Sequence, residues 1–168
     1  MGTLEHKIIN NFLEKETFDN LKNTLFSNKI NWFFLPSFLP SMTNNKDHYF
    51  FNHCFYNYHT PQSIFFEELI IPILKKLNAV AISEIRANLV LKEDNSYQSN
   101  FHVDRPFECK TAILYINTCN GYTLLHEDKK IKINCEENKI LIFNSQIRHA
   151  VVSQTDVDRR IVINFNYF

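Results

Sequence analysis

Residues 84–91 read EIRANLVL, residues 109–117 CKTAILYIN, residues 139–143 KILIF and residues 159–168 RRIVINFNYF. In each run apolar residues recur at every second position or fill a short block, as strands that bury one or both faces require. Between them lie four shorter runs of the same texture: FHVD at 101–104, GYTLL at 121–125, KIKIN at 130–134 and RHAVV at 148–152. Eight short strands after residue 83 predict a β-sandwich or jelly roll. The breaks between the runs carry Asn, Asp and Glu, and Asn120-Gly121 predicts a tight hairpin.

Upstream the period changes. Across residues 13–26 the apolar Phe18, Leu21, Leu25 and Phe26 fall at helical spacing, which predicts one amphipathic helix. A second is expected over residues 62–77, with Ile64, Phe65, Leu69, Ile73, Leu74 and Leu77 apolar and Pro72 set to kink or divide it. Residues 35–60 hold many aromatics and no clean period, so strand fragments and loop are expected there. With no internal repeat or low-complexity linker, residues 1–168 read as a single domain. Residues 1–82 would supply supporting helices and an irregular segment, and residues 83–168 the β core.

Only two of 168 residues are glycine, Gly2 and Gly121, against an average near 7%. That excludes the Gly-rich dinucleotide cradle and the P-loop, which need closely spaced glycines. It also makes Gly121 a position where alanine should strain the backbone. Lys+Arg 18 balances Asp+Glu 18, so no global field favours nucleic acid or an anionic membrane. The 21 asparagines carry no functional reading. Cys54, Cys109, Cys119 and Cys135 form no CxxC pair and suggest reduced thiols in a cytoplasmic protein. The N-terminus lacks a signal-peptide pattern, and His6 stands where a myristoylation motif wants Ser or Thr. The apolar run INWFFLPSFLP is too short to span a bilayer and carries two prolines, so a soluble protein is expected.

FHVD places His102 and Asp104 two residues apart, on one face of a strand. His149 follows after 44 residues, and Arg159 and Arg160 come ten and eleven residues later. Two imidazoles and one carboxylate with open positions form the facial triad of non-haem Fe(II) chemistry. A nearby guanidinium offers a fork for the far carboxylate of a dicarboxylic co-substrate.

This order of residues, His102-x-Asp104, then Phe143, Ser145 and His149 as FxSxxxH, then an arginine opening an aliphatic strand, resembles the Fe(II)/2-oxoglutarate-dependent oxygenases. The small phage- and bacterial-type and prolyl-hydroxylase-like members are the most similar. The resemblance covers residues 85–168 and extends to the strand end Tyr115-Ile116-Asn117 and to Gly121-Tyr122-Thr123. It implies a double-stranded β-helix, the cupin-like barrel, with Fe(II) on His102, Asp104 and His149. It further implies 2-oxoglutarate as co-substrate, O2 as oxidant, ascorbate as a possible reductant, and succinate and CO2 as products. Because Asp104 is present where halogenating members carry a small residue, the resemblance implies hydroxylation, or a demethylation that follows from it, over halogenation, and the balanced charge favours a protein side chain or small molecule over nucleic acid as substrate. If the gene is phage-borne, the protein would work in the host cytoplasm.

Pleat alternation assigns Arg160 to the interior over Arg159, because Ile161, Ile163, Phe165 and Tyr167 share the Arg159 face. Arg160 would then hold the C5 carboxylate, with a phenolic hydrogen bond from Tyr115 implied by the family. Asn88 and Asn164 are further candidates for polar groups lining the pocket. His48, His53, Cys54 and His59 fit no zinc spacing, and their segment, with Tyr49, Phe50, Phe51, Tyr56 and Tyr58, is expected to form a substrate-side loop. His126, Glu127 and Asp128 read as turn chemistry, and Lys129, Lys130 and Lys132 as a solvated hairpin face. Two other readings stay open: a non-catalytic jelly-roll binding module, and a cupin-like metalloenzyme that does not use 2-oxoglutarate.

Overall fold

The structure, a computed structural model, describes residues 6–36, 48–126 and 129–168. Its strands are β1 (Lys7–Ile9), β2 (Phe33–Leu35), β3 (Phe50–Asn57), β4 (Thr60–Pro61), β5 (Ile82–Leu91), β6 (Lys110–Tyr115), β7 (Tyr122–His126), β8 (Lys130–Asn134), β9 (Lys139–Asn144), β10 (Arg148–Val152) and β11 (Arg159–Tyr167). The helices are α1 (Lys15–Phe26) and α2 (Ile71–Leu77), the latter preceded by a π-helical turn over Phe66–Ile70. A large antiparallel sheet runs β1-β9-β6-β11-β5-β3-β2, with β4 paired to β3, and a smaller sheet runs β10-β7-β8. Two such sheets with this strand order form the double-stranded β-helix.

Side-chain alternation on β5 and β11 divides the interior in two. Ile85, Ala87 and Leu89 of β5 and Ile161, Ile163, Phe165 and Tyr167 of β11 pack with Phe18, Leu21 and Leu25 of α1 and Ile73, Leu74 and Leu77 of α2. The opposite face turns Ile113, Tyr115 and Val162 toward Leu125 and Ile133 of the smaller sheet. Each buried Leu, Ile or Phe contributes roughly 1.5–3 kcal/mol. A one-residue slip of β11 would therefore expel Ile161, Ile163, Phe165 and Tyr167 and press Arg160 against the helices. Asn138, at φ 56°, clamps the N-terminal segment to this core. Its side chain accepts from Leu13 N–H and donates to Leu13 C=O, both at 2.8 Å, while its carbonyl accepts from Phe12 N–H.

Helix α1 lies where the spacing placed it. The second helix is divided as Pro72 foretold: the chain makes a π turn and restarts at Ile71, so that Pro72 falls in a first turn where a missing N–H is harmless. The segment read as irregular contains the eight-residue strand β3, which pairs with β5, and β1 and β2 join the large sheet too. The division at residue 82 is thus not structural: the N-terminal part supplies sheet as well as helix. FHVD is no strand of its own but touches β10 through one bridge between His102 and His149. Residues 37–47, within the supposed substrate-side loop, and Glu127 and Asp128 lie outside the described residues. Among the described residues no helix is long and apolar enough to cross a membrane.

The Asn120-Gly121 hairpin is also corrected, since β6 pairs with β9 and β11 while β7 pairs with β10 and β8. The dipeptide carries the chain from one sheet to the other. Gly121 has no positive φ; it is required by close approach, because a Cβ there would lie 3.0 Å from the Val152 carbonyl oxygen and 3.1 Å from the Gln154 nitrogen. Both are backbone atoms and have little room to yield. Gly121→Ala is expected to destabilise the fold by about 1–3 kcal/mol, read as a lower urea midpoint with unchanged slope.

Candidate active site

Residues 97–102 run beside β10 as an irregular extra strand: Ser153 N–H donates to Tyr97 C=O and Ser99 N–H to Val151 C=O, each at 2.9 Å. The pairing ends on a reciprocal bond, in which His102 N–H donates to His149 C=O at 3.0 Å and His149 N–H to His102 C=O at 2.9 Å. Two histidines 47 positions apart are thereby set side by side, with ring centroids 4.5 Å apart. Both Nε2 atoms lie 3.7 Å from Asp104 Oδ1. That is too long for a hydrogen bond and short enough for all three atoms to share one ion.

The residues fit a divalent metal of the iron type. The three ligand atoms lie within 4.8 Å of one another, and among the described residues this is the one such group. Asp104 Oδ1 is buried without a hydrogen-bond partner, whereas Asn164 Nδ2 approaches Oδ2 at 3.5 Å. Burial acts to raise the Asp104 carboxyl, but its electrostatic interactions with His149, Arg86 and His102 together hold it below the ordinary range. Burial drives His149 down to about 4, against the pull of Asp104, which keeps its imidazole neutral and able to ligate. His102 Nδ1 lies 3.1 Å from Asn100 C=O; a proton on Nδ1 leaves the Nε2 lone pair for the metal. Phe143 packs edge-on against the His149 ring at 5.2 Å. Ser145 Oγ donates to Phe107 C=O and accepts from Cys109 N–H, each at 2.9 Å, fixing the loop that follows Asp104. The FxSxxxH spacing thus has a local physical cause.

The triad and Arg160 line the same cavity, together with Asn88 and Val90 of β5, Thr123 of β7 and Val162 and Asn164 of β11. Arg160 is 2% exposed. Its Nη2 donates to Thr123 Oγ1 at 3.3 Å, its Nε has no partner, and among the described residues no carboxylate lies within ion-pair distance. Burial pushes the Tyr115 phenol up, so it stays protonated; it donates to Thr123 Oγ1 at 2.8 Å and holds its ring 5.9 Å from the Arg160 guanidinium. The Cys135 thiol, hydrogen-bonded by Cys119 and facing Arg160, is held below the usual thiol range.

Arg159 goes the other way. It is exposed on the outer face, over the Phe26 ring at 5.5 Å. Asn88 turns an unpartnered Oδ1 into the cavity, and Asn164 acts on Asp104. The second histidine group is structural: His53 Nδ1 meets Asn31 C=O and His53 Nε2 meets Ser63 Oγ, both at 2.8 Å, and His48 stacks on Tyr97 at 3.5 Å. Among the polar cavity residues, Arg86 and Thr123 were not site candidates, although Thr123 stood in the Gly121-Tyr122-Thr123 match, and Phe50 of the expected substrate-side segment also lines the cavity. Arg86 was findable, because it shares the Asn88 face in EIRANLVL, opposite the apolar Ile85, Ala87 and Leu89.

No protein-family model matches the chain, and no curated protein matches its sequence. Solved structures do match. An oxidoreductase of the 2OG-Fe(II) oxygenase family from Burkholderia pseudomallei superposes with a TM-score of 0.72 at 10% identity, covering 96% of this chain and 84% of the other. A prolyl hydroxylase from Trichoplax adhaerens, in complex with a hypoxia inducible factor peptide fragment, gives 0.65 at 19% identity over 97% and 83%. HygX from Streptomyces hygroscopicus, with nickel, 2-oxoglutarate and hygromycin B bound, gives 0.62 at 9% identity over 98% and 83%. The chain has the double-stranded β-helix fold of the Fe(II)/2-oxoglutarate oxygenases.

Proposed function

We propose that this protein is an Fe(II)- and 2-oxoglutarate-dependent dioxygenase that hydroxylates a protein side chain or small molecule, releasing succinate and CO2. One observation carries the reading: a single cavity holds the His102, Asp104 and His149 ligand set and the buried, carboxylate-free guanidinium of Arg160. A metal-binding module has no need of the second feature. Iron bound at the triad would supply the redox chemistry that couples O2 and decarboxylation of the co-substrate to oxidation of a substrate C–H bond.

The chain's own residues do the rest. His102, His149 and Asp104 would hold the ion. Arg160 takes the far carboxylate of 2-oxoglutarate as a charge-assisted pair in a dry setting, where such a bond is strong. Thr123, already holding Tyr115 and Arg160, fixes the direction of that guanidinium. Val90, Ile113, Val151 and Val162 make the walls apolar and exclude water. A protein or small-molecule substrate is supported by the balanced charge of the chain and by the peptide and antibiotic bound in its structural neighbours. The four free cysteines fit a reducing, cytoplasmic setting.

Incubation with Fe(II), 2-oxoglutarate and ascorbate should yield succinate above a metal-free control even without substrate, and Asp104→Ala should abolish it. Absence of both succinate and anaerobic 2-oxoglutarate binding would reject the oxygenase. Loss of a charged hydrogen bond costs about 1.5–3 kcal/mol, so Arg160→Ala should weaken 2-oxoglutarate binding roughly 10- to 150-fold in the same anaerobic titration. Arg160→Lys should recover part of that loss. Arg159→Ala, on the outer face, should change the affinity less than about 2-fold.

A further inference from the structure

The cavity contains a second guanidinium that the co-substrate does not explain. Strand β5 directs Arg86, Asn88 and Val90 inward, and its register on β11 sets Arg86 opposite Asn164, Asn88 opposite Val162 and Val90 opposite Arg160. Arg86 therefore lies in the row whose asparagine approaches Asp104, four strand residues, or about 13 Å of rise, from the row of Arg160. The two guanidiniums address opposite ends of one cavity, and Arg86 occupies the end beside the metal ligands.

Its charge is poorly answered within the protein. Glu84 is the adjacent acid, yet its Oε2 is 2.7 Å from Arg105 Nη2 and its Oε1 accepts from Asn57 Nδ2 at 3.3 Å. Arg86 Nη1 stands 3.7 Å from that same Oε2, and Arg86 Nε is buried with no hydrogen-bond partner. Two guanidiniums thus share the Glu84 carboxylate, and the other acid that feels the Arg86 charge, Asp104, belongs to the metal-ligand set. A surplus cation next to a divalent metal with a single carboxylate ligand is unfavourable in a partly dry cavity unless an anion enters between them. Arg86 keeps 29% of its side chain exposed, so an incoming ligand can reach it. A planar fork with free donors matches a carboxylate.

We propose that Arg86 is a specificity-determining residue that receives a carboxylate group carried by the substrate, placing the oxidised C–H bond near that carboxylate. This rests on the oxygenase reading, and the substrate class it selects is a carboxylic acid, free or as an acidic group of a larger molecule.

The test uses the intact protein loaded with Mn(II) and 2-oxoglutarate, whose binding is titrated first. Ligand proton NMR then compares N-acetyl amino acids with their primary amides, relative to Mn(II) alone, since the paramagnetic ion broadens whatever binds beside it. The carboxylates should be broadened at least about 3-fold more than the amides by the wild-type protein, in line with the strength of charge-assisted pairing. Arg86→Gln should erase the difference and Arg86→Lys should retain part of it. Equal broadening of acids and amides by the wild type, or a difference that survives Arg86→Gln, overturns the proposal. Arg86→Gln should leave 2-oxoglutarate affinity within about 2-fold; a loss like that of Arg160→Ala would put Arg86 on the co-substrate and overturn the proposal while leaving the oxygenase reading intact. Failure of the wild type to bind Mn(II) and 2-oxoglutarate at the outset would remove both.

Discussion

The reciprocal backbone hydrogen bonds between His102 and His149 are the constraint on which the site depends. They close a loop of more than forty residues and set two imidazoles side by side without any side chain having to reach. Asp104 follows two residues later, so its position is inherited from the same pairing. Lengthening that pairing by one residue would turn His102 away from His149, because alternate side chains face opposite ways. Backbone geometry accordingly places the three ligand atoms, and Phe143, Asn164 and Asn100 adjust their orientation.

The same alternation organises the large sheet. On β5 and β11 the outward residues Ile85, Ala87, Leu89, Ile161, Ile163, Phe165 and Tyr167 are apolar and pack on the helices, and the inward residues include Arg86, Asn88, Arg160, Asn164 and Asn166 among valines. Burying such a polar column without partners would be costly. Several of its atoms, including Asn88 Oδ1, Asn164 Oδ1 and Arg160 Nε, have no partner within the protein. These groups converge on one cavity, which is how an interior built to receive polar ligands differs from one built only for packing.

Much of this was legible in the residues because the period-two rule acts locally. RRIVINFNYF alone separates Arg160 from Arg159, and the structure places one inside and the other over Phe26. What failed depended on partners distant in sequence. Asn120-Gly121 marks a turn, but a turn does not say which sheet receives the next strand, and here the chain changes sheets. The need for glycine came from Val152 and Gln154, whose approach no local pattern records. Strand β3 was hidden because its aromatics serve both faces: Phe55 enters the helical core and Phe50 lines the cavity. Arg86 was passed over because a charged residue in an apolar strand reads as surface when the strand's neighbours are unknown.

Arg160 carries a consequence beyond the binding of a co-substrate. The fold keeps the Arg160 guanidinium out of water with a hydroxyl, a phenol and the Cys119–Cys135 thiol pair around it and, among the described residues, no carboxylate within ion-pair distance, and a buried charge without a full counter-charge weakens the folded state. On the proposed reading, the missing counter-charge comes from a metabolite. A ligand that binds only the folded chain adds about 2.7 kcal/mol when present at roughly a hundred times its Kd. Resistance of this chain to unfolding and proteolysis would then rise with the concentration of the diacid.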